Sequence, residues 1–146
     1  MSASPVRFLL VEDDDSHALL FMRALQRNAL ATVIDRVADG VEALAYLRRE
    51  GQYKDRPTPD VVFLDLKMPK LDGLEALERI KSDENLLKIP IVMLTSSNAE
   101  KDRALAYAGR VNGYVVKPAD FDQFRHMVCD LGSYWGVWNR RGDEGT

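Results

Sequence analysis

Apolar residues gather into short runs along this chain, and each run stops at a polar or charged residue. Val6-Arg7-Phe8-Leu9-Leu10-Val11 stops at Glu12-Asp13-Asp14-Asp15, and Val61-Val62-Phe63-Leu64 stops at Asp65. Ile91-Val92-Met93-Leu94 stops at Thr95-Ser96-Ser97, and Tyr114-Val115-Val116 stops at Lys117-Pro118. Runs this short and this rich in β-branched residues read as strands buried on both faces of a parallel sheet. Thr32 to Ala38 alternates instead, as an outer strand does. Helical spacing fills the intervals: Leu20, Phe21, Ala24 and Leu25; Ala43, Leu44 and Leu47; Leu74, Leu77 and Ile80; Phe121, Phe124, Met127, Val128 and Leu131. The stretch after Ser97 has only Ala104, Leu105 and Ala108 to bury, so it predicts the least firmly packed helix. Asp39 with Glu42, and Ser97 with Glu100, have the spacing of capping boxes; Asp120 and Gln123 open the last helix. Arg48 to Pro59 is polar and carries Gly51, Pro57 and Pro59, which predicts a long surface loop.

Five strands alternating with five helices predict an α/β fold, a doubly wound parallel sheet with helices on both faces and right-handed crossovers. At 146 residues the chain is expected to form a single domain over 1–146, with a core of about 6–132 and a tail of 133–146. The tail changes the picture in one respect. Leu131, Trp135 and Trp138 keep helical spacing past the end of the core, and Tyr134 and Val137 lie among them. Two readings stand side by side: these aromatics close the bottom of the domain, or Tyr134, Trp135 and Trp138 form a homodimer interface.

Composition narrows the function classes. A net charge of -3 gives no footprint for nucleic acid, and no segment reads as a DNA-binding module. The one cysteine, Cys129, excludes an internal disulfide framework and reads as a core side chain. No run approaches the roughly 18 apolar residues that span a bilayer, and the N-terminus does not resemble a signal peptide, so a cytoplasmic protein is expected. Asp13-Asp14-Asp15 is not a calcium loop, because Ala18 and Ala24 occupy the places that need Gly and Glu. His17 reads as a surface residue near the strand ends, and His126 as solvated or half-buried.

The candidate chemistry stands where the runs stop. In a parallel sheet Glu12, Asp13, Asp65, Thr95 and Lys117 share one edge, the edge at which open α/β sheets bind ligands. Three carboxylates crowded there repel one another unless a cation joins them. An oxygen-rich site with few protein ligands suits Mg2+, which keeps waters and leaves room for a phosphate oxygen. Lys117 adds a positive charge and Thr95 a hydroxyl donor. The set describes a phosphoryl pocket with Asp65 as nucleophile. Each residue alone has a plainer role, as a helix-capping acid, a helix-starting hydroxyl or a solvated lysine.

Leu10-Val11-Glu12-Asp13-Asp14, Leu64-Asp65-Leu66-Lys67-Met68-Pro69 with Asp72-Gly73, Leu94-Thr95-Ser96 and Tyr114-Val115-Val116-Lys117-Pro118 together resemble the receiver domain of two-component response regulators. The resemblance implies the flavodoxin-like strand order 2-1-3-4-5 and phosphorylation of Asp65 by a sensor histidine kinase. It implies Mg2+ bound by Asp13, Asp65 and the backbone carbonyl of Lys67, with Glu12 acting through water. Thr95 and Lys117 would hold the phosphoryl oxygens, Tyr114 would be the switch aromatic moving with Thr95, and the Lys117–Pro118 peptide would be cis. Glu12 replaces the commoner first Asp, and Lys67 puts a cation beside the pocket that bears on dephosphorylation.

The long loop before Pro59, Val111-Asn112-Gly113-Tyr114 and the Asp122-Gln123-Phe124…Tyr134-Trp135 tail resemble the single-domain regulators partnered with phytochromes. They imply a bacteriophytochrome as kinase. The expected output is protein contact with a downstream protein, through the helix after Thr95, the fifth strand and the last helix. A rival is a phosphorelay shuttle that passes phosphate to a histidine phosphotransfer protein. A rival of another class is an aspartate-nucleophile phosphatase, which needs a second acid where this chain has Lys67.

Overall fold

The computed structural model describes residues 5–27 and 32–138, the last two by their backbone alone. Strand β1 (Val6–Val11) leads to α1 (Asp15–Gln26), β2 (Thr32–Val37) and α2 (Gly40–Arg48). After a 3-10 turn at Gly51–Tyr53 come β3 (Val61–Leu64), α3 (Gly73–Ser82), β4 (Ile91–Thr95), α4 (Glu100–Ala108), β5 (Gly113–Val116) and α5 (Phe121–Ser133). All pairings are parallel and the order is β2-β1-β3-β4-β5, the doubly wound arrangement expected.

Side-chain alternation divides each central strand between two cores. Leu9 and Val11, Val62 and Leu64, Ile91 and Met93 face the helices α2 and α3, where Leu44, Leu47, Leu77 and Ile80 meet them. Phe8 and Leu10, Val61 and Phe63, Val92 and Leu94 face α1 and α5, where Phe21, Leu25, Phe124 and Val128 meet them. Phe63 stacks obliquely on Phe8 and Phe21, with ring centroids 5.5 and 5.1 Å apart. A strand buried on both sides fixes its own register, because a slip of one residue would exchange the two cores. That register matters at the carboxyl edge. Val11 pairs with Leu64, Leu64 with Met93 and Thr95 with Val116, so the strands end nearly level.

The predicted cap at Asp39 forms: its carboxylate accepts from the N–H of Glu42 at 2.9 Å, and Glu42 reaches back to the N–H of Ala38 at 3.1 Å. The predicted Ser97–Glu100 box does not form. Helix α4 starts two residues later than that spacing predicts, with Ala99 at its N-cap making no side-chain bond. Ser97 is drawn away by Asp102, to which its hydroxyl donates at 2.5 Å. The expected inward residues of α4 are corrected as well. Ala104, Leu105 and Ala108 are exposed, and Ala106 alone is buried, because the helix touches the sheet along a single line. The expectation of weak packing there holds.

Phe121 is 56% exposed, not inward, since the apolar stripe of α5 runs past the end of the sheet at its first turn. Cys129 is half-buried at the α1–α5 seam, its Sγ 3.6 Å from the carbonyl of Ala24. Among the described residues every peptide bond is trans, Lys117–Pro118 included, which corrects the cis expectation. Trans is the lower-energy isomer for X–Pro. After α5 the chain continues in a π-helical turn, Tyr134–Trp138. Trp135 packs on the α1–α5 core and stands edge-on to Tyr134 at 5.2 Å, while Tyr134 is half exposed. The side chain of Trp138 lies outside the described residues. Among the described residues no helix is long and apolar enough to cross a membrane.

Candidate functional site

The sheet order reverses between β1 and β3. The chain leaves β1 toward β2 and leaves β3 toward β4, so the two loops diverge and open a crevice at the carboxyl edge. Glu12 lines it. Its N–H donates to the carbonyl of Val37 at 3.1 Å, and its side chain is buried, with Oε2 accepting from the N–H of Asp14 at 3.2 Å. Asp14 turns away to cap α1, accepting from the N–H of His17 at 3.0 Å; that bond holds its carboxyl below the ordinary range. Asp13, between them, is exposed over the crevice.

Asp65 enters from the other side. Its N–H donates to the carbonyl of Val11 at 3.1 Å, and the chain then doubles back so closely that Gly73 donates to the carbonyl of Leu66 at 2.7 Å. A Cβ on Gly73 would stand 2.2 Å from the carbonyl oxygen of Asp65, so only glycine permits this close approach. The carboxylate is held in a nearly dry position, its side chain 12% exposed. Burial raises its pKa to about 7; Lys117 opposes the rise, the charge and hydrogen bond of Glu12 add to it, and the backbone N–H of Lys67 opposes it.

Lys117 crosses beneath both acids. Its N–H donates to the carbonyl of Thr95 at 2.7 Å, and its Nζ is buried, donating to Glu12 and lying 3.6 Å from Oδ2 of Asp65. His17 is nearer the chemistry than its sequence position suggests, its Nδ1 3.4 Å from Nζ of Lys117. Thr95 is buried at the end of β4. Its Oγ1 accepts from the N–H of Ser97 at 3.2 Å, which leaves the hydroxyl proton for another acceptor. Tyr114 sends its hydroxyl to the carbonyl of the same Ser97 at 3.0 Å, and the Arg103 guanidinium lies 5.7 Å from its ring centre.

Carboxylate oxygens of Glu12, Asp13 and Asp65 all fall within 4.8 Å of one another. Hard oxygens at that spacing fit a small divalent cation. The raised pKa of Asp65 is the second sign of fit: burial is its main cause and the charge of Glu12 adds to it, so ionising this acid calls for more positive charge. The predicted residues Glu12, Asp13, Asp65, Thr95 and Lys117 thus meet at one edge. Lys67 brings its backbone to Asp65 while its residue as a whole is exposed. The sequence marked Ser97 only as a helix cap and did not point to Arg36, a β2 residue whose guanidinium grips the loop after β1. Arg36 sits in a strand that looked merely peripheral, and no local signal marked it.

Comparisons with known proteins agree with this geometry. The family model of the response regulator receiver domain matches residues 8–129. The probable methanogenesis regulatory protein FilR2 of Methanothrix harundinacea is 44% identical over 137 residues, 93% of this chain and 87% of that protein. The response regulator Rcp1 of Synechocystis sp. is 35% identical over 92% of this chain and 91% of its own, and its Mn2+-bound crystal structure superposes with a TM-score of 0.85. The phosphorylated cyanobacterial phytochrome response regulator RcpA superposes with a TM-score of 0.89 at 38% identity, covering 92% of this chain and 96% of that one.

Proposed function

The chain belongs to the response regulator receiver domain family, and we propose that it accepts a phosphoryl group on Asp65 from a sensor histidine kinase and signals by protein contact. The observation that carries this is the half-buried Asp65 carboxylate, within 4.8 Å of carboxylate oxygens of Glu12 and Asp13 and 3.6 Å from Nζ of Lys117, which also holds Glu12. Oδ of Asp65 attacks phosphorus; the O–P bond forms as the P–N bond of the kinase phosphohistidine breaks, and the imidazole leaves with the electron pair. Transfer of this kind needs alignment and charge neutralisation more than covalent help. Asp13, Asp65 and the carbonyl of Lys67 would hold Mg2+, with Glu12 acting through water. Bound there, the ion would neutralise the acids and the developing phosphoryl charge. Lys117 leaves its partner Glu12 for a phosphoryl oxygen, and Thr95 donates its hydroxyl to another. The same residues assist the later hydrolysis.

Ser97 links chemistry to output. It holds Thr95 by its N–H, Tyr114 by its carbonyl and α4 through Asp102, so movement of Thr95 reaches all three. Two states of this element, biased by phosphorylation, are sufficient for a switch. We place the protein in the cytoplasm, with a bacteriophytochrome as its kinase and a downstream protein on the α4–β5–α5 face. The likeness to the phytochrome response regulator RcpA supports that kinase class. A homodimer through Tyr134 and its neighbours is supported by the exposure of that ring.

Intact-protein mass after incubation with a small acyl phosphate tests the core of the proposal. The expected outcome is a Mg2+-dependent gain of one phosphoryl in wild type and none in Asp65→Asn. A gain that survives Asp65→Asn would place the acceptor elsewhere. Phosphotransfer from labelled protein to a histidine phosphotransfer protein would favour the shuttle reading. Turnover of small phosphate esters would favour a phosphatase.

A further inference from the structure

Strand β2 takes no part in the chemistry, yet one of its side chains reaches the loop that carries the first two acids. Arg36 pairs across from Leu10 in the register of β1 and β2. Its Nε and one terminal nitrogen converge on the backbone carbonyl of Glu12, at 2.9 and 2.7 Å. The other terminal nitrogen donates to Oδ1 of Asp15 at 2.8 Å. The planar fork of a guanidinium can meet two acceptors at fixed angles, which a flexible ammonium cannot. Glu12 is therefore gripped by β2 at both ends of its main-chain unit, through its N–H by Val37 and through its carbonyl by Arg36. Asp15, the first residue of α1, meets the same cation with its exposed carboxylate. Between these two anchored points lie Asp13 and the cap Asp14.

We infer that Arg36 is a positioning residue for the divalent cation: it sets the path of the Glu12–Asp15 loop and so aims the carboxylates of Glu12 and Asp13 at Asp65. This rests on the reading of those acids as a cation site. Groups that orient metal ligands from outside typically change metal affinity by about 10- to 100-fold when removed.

Charge makes the test decisive, because its effect has the opposite sign. Removing a positive charge beside an acidic cluster strengthens cation binding if Coulomb attraction alone is at work. Loss of positioning weakens it. Calorimetric titration of Mg2+ into the full chain separates the two, using wild type, Arg36→Gln and Arg36→Lys. The inference expects binding about 10-fold weaker in Arg36→Gln, and a smaller weakening in Arg36→Lys, which keeps the charge and loses the fork. Equal or tighter binding in Arg36→Gln overturns it. Melting curves in chelator check that each variant is folded; if Arg36→Gln is not, Arg36→Lys decides, and unchanged affinity there overturns the inference. No Mg2+ binding by folded wild type would defeat the cation-site reading and the inference together, whereas binding indifferent to Arg36 defeats the inference alone.

Discussion

Helices α3 and α4 follow successive strands on the same face of the sheet, yet they are held very differently. Helix α3 buries Ala76, Leu77 and Ile80 completely and lies beside β3, whose four residues are wholly inaccessible. Helix α4 buries Ala106 alone, and its neighbour β5 is an edge strand with every residue half-buried. The first pair carries Asp65; the second carries Tyr114 and the turn at Ser97. Chemistry needs carboxylates that stay where they are, and a signal needs a surface that can move. The fold supplies each from a different amount of buried apolar area.

The comparison breaks most simply by truncation. Leu77→Ala opens a cavity between α3 and the sheet and is expected to lower unfolding free energy by about 2–5 kcal/mol in urea titration. Leu105→Ala, on a residue of α4 that is 46% exposed, is expected to change it by less than about 0.5 kcal/mol. Similar losses from the two would mean that α4 is packed as firmly as α3. Gly73→Val belongs with the larger effect, because its Cβ would collide with the carbonyl oxygen of Asp65 and the Cα of Leu66.

A second effect, of middle size, isolates the rigid half through pH. A carboxyl whose folded pKa is raised keeps its proton in the fold after the unfolded chain has lost it. Its contribution is therefore complete near pH 4 and is lost as pH rises toward the folded value, about 7 for Asp65. Without metal, stability from this group should fall across that window. Asp65→Asn should flatten the profile and raise stability at pH 7 by about 1–2 kcal/mol, a figure reduced for partial solvation. Saturating Mg2+ should restore wild type above pH 7, because the ion binds the ionised acids of the fold alone. A stability gain of Asp65→Asn over wild type that fails to grow from pH 4 to 7 in chelator would contradict the raised pKa of Asp65.

The same contrast explains what could be read from sequence. Strands β1, β3 and β4 announce themselves because burial on both faces demands unbroken apolar runs, and the candidate site residues announce themselves by ending those runs. Helix α4 could not be read so well. Ala104, Leu105 and Ala108 have the spacing of core residues yet are exposed, and the small Ala106 that does the packing looks like filler. Ser97 and Glu100 had capping spacing, but Asp102 competed for the hydroxyl and won. No pattern marked Lys81, whose ammonium is buried against Asn112 Oδ1 at 3.1 Å and the carbonyl of Leu87 at 3.3 Å. Burial, then Arg110, lowers its pKa. Such contacts join residues far apart in the chain, and no local pattern encodes them.

The smallest predicted effect bears most directly on signalling. Ser97 makes its contacts to Thr95 and Tyr114 with backbone atoms, and its hydroxyl reaches α4, donating to Asp102 and accepting from the N–H of Ala99 at 3.3 Å. Ser97→Ala therefore keeps the link from Thr95 to Tyr114 and removes the one to the helix. One such hydrogen bond is worth about 1 kcal/mol, a factor of about 5 in a local opening equilibrium. Amide exchange in the first turns of α4 should quicken by about that factor, with α3 unchanged. Asp102→Asn should do the same by a weaker amount, since its amide oxygen still accepts the hydroxyl proton. Tyr114→Ala should leave Asp65 open to phosphorylation while reducing the response of α4 to it. If Ser97→Ala quickens exchange in α3 as much as in α4, the two helices open as one unit. The difference between a fixed chemical half and a mobile reading half would then be lost.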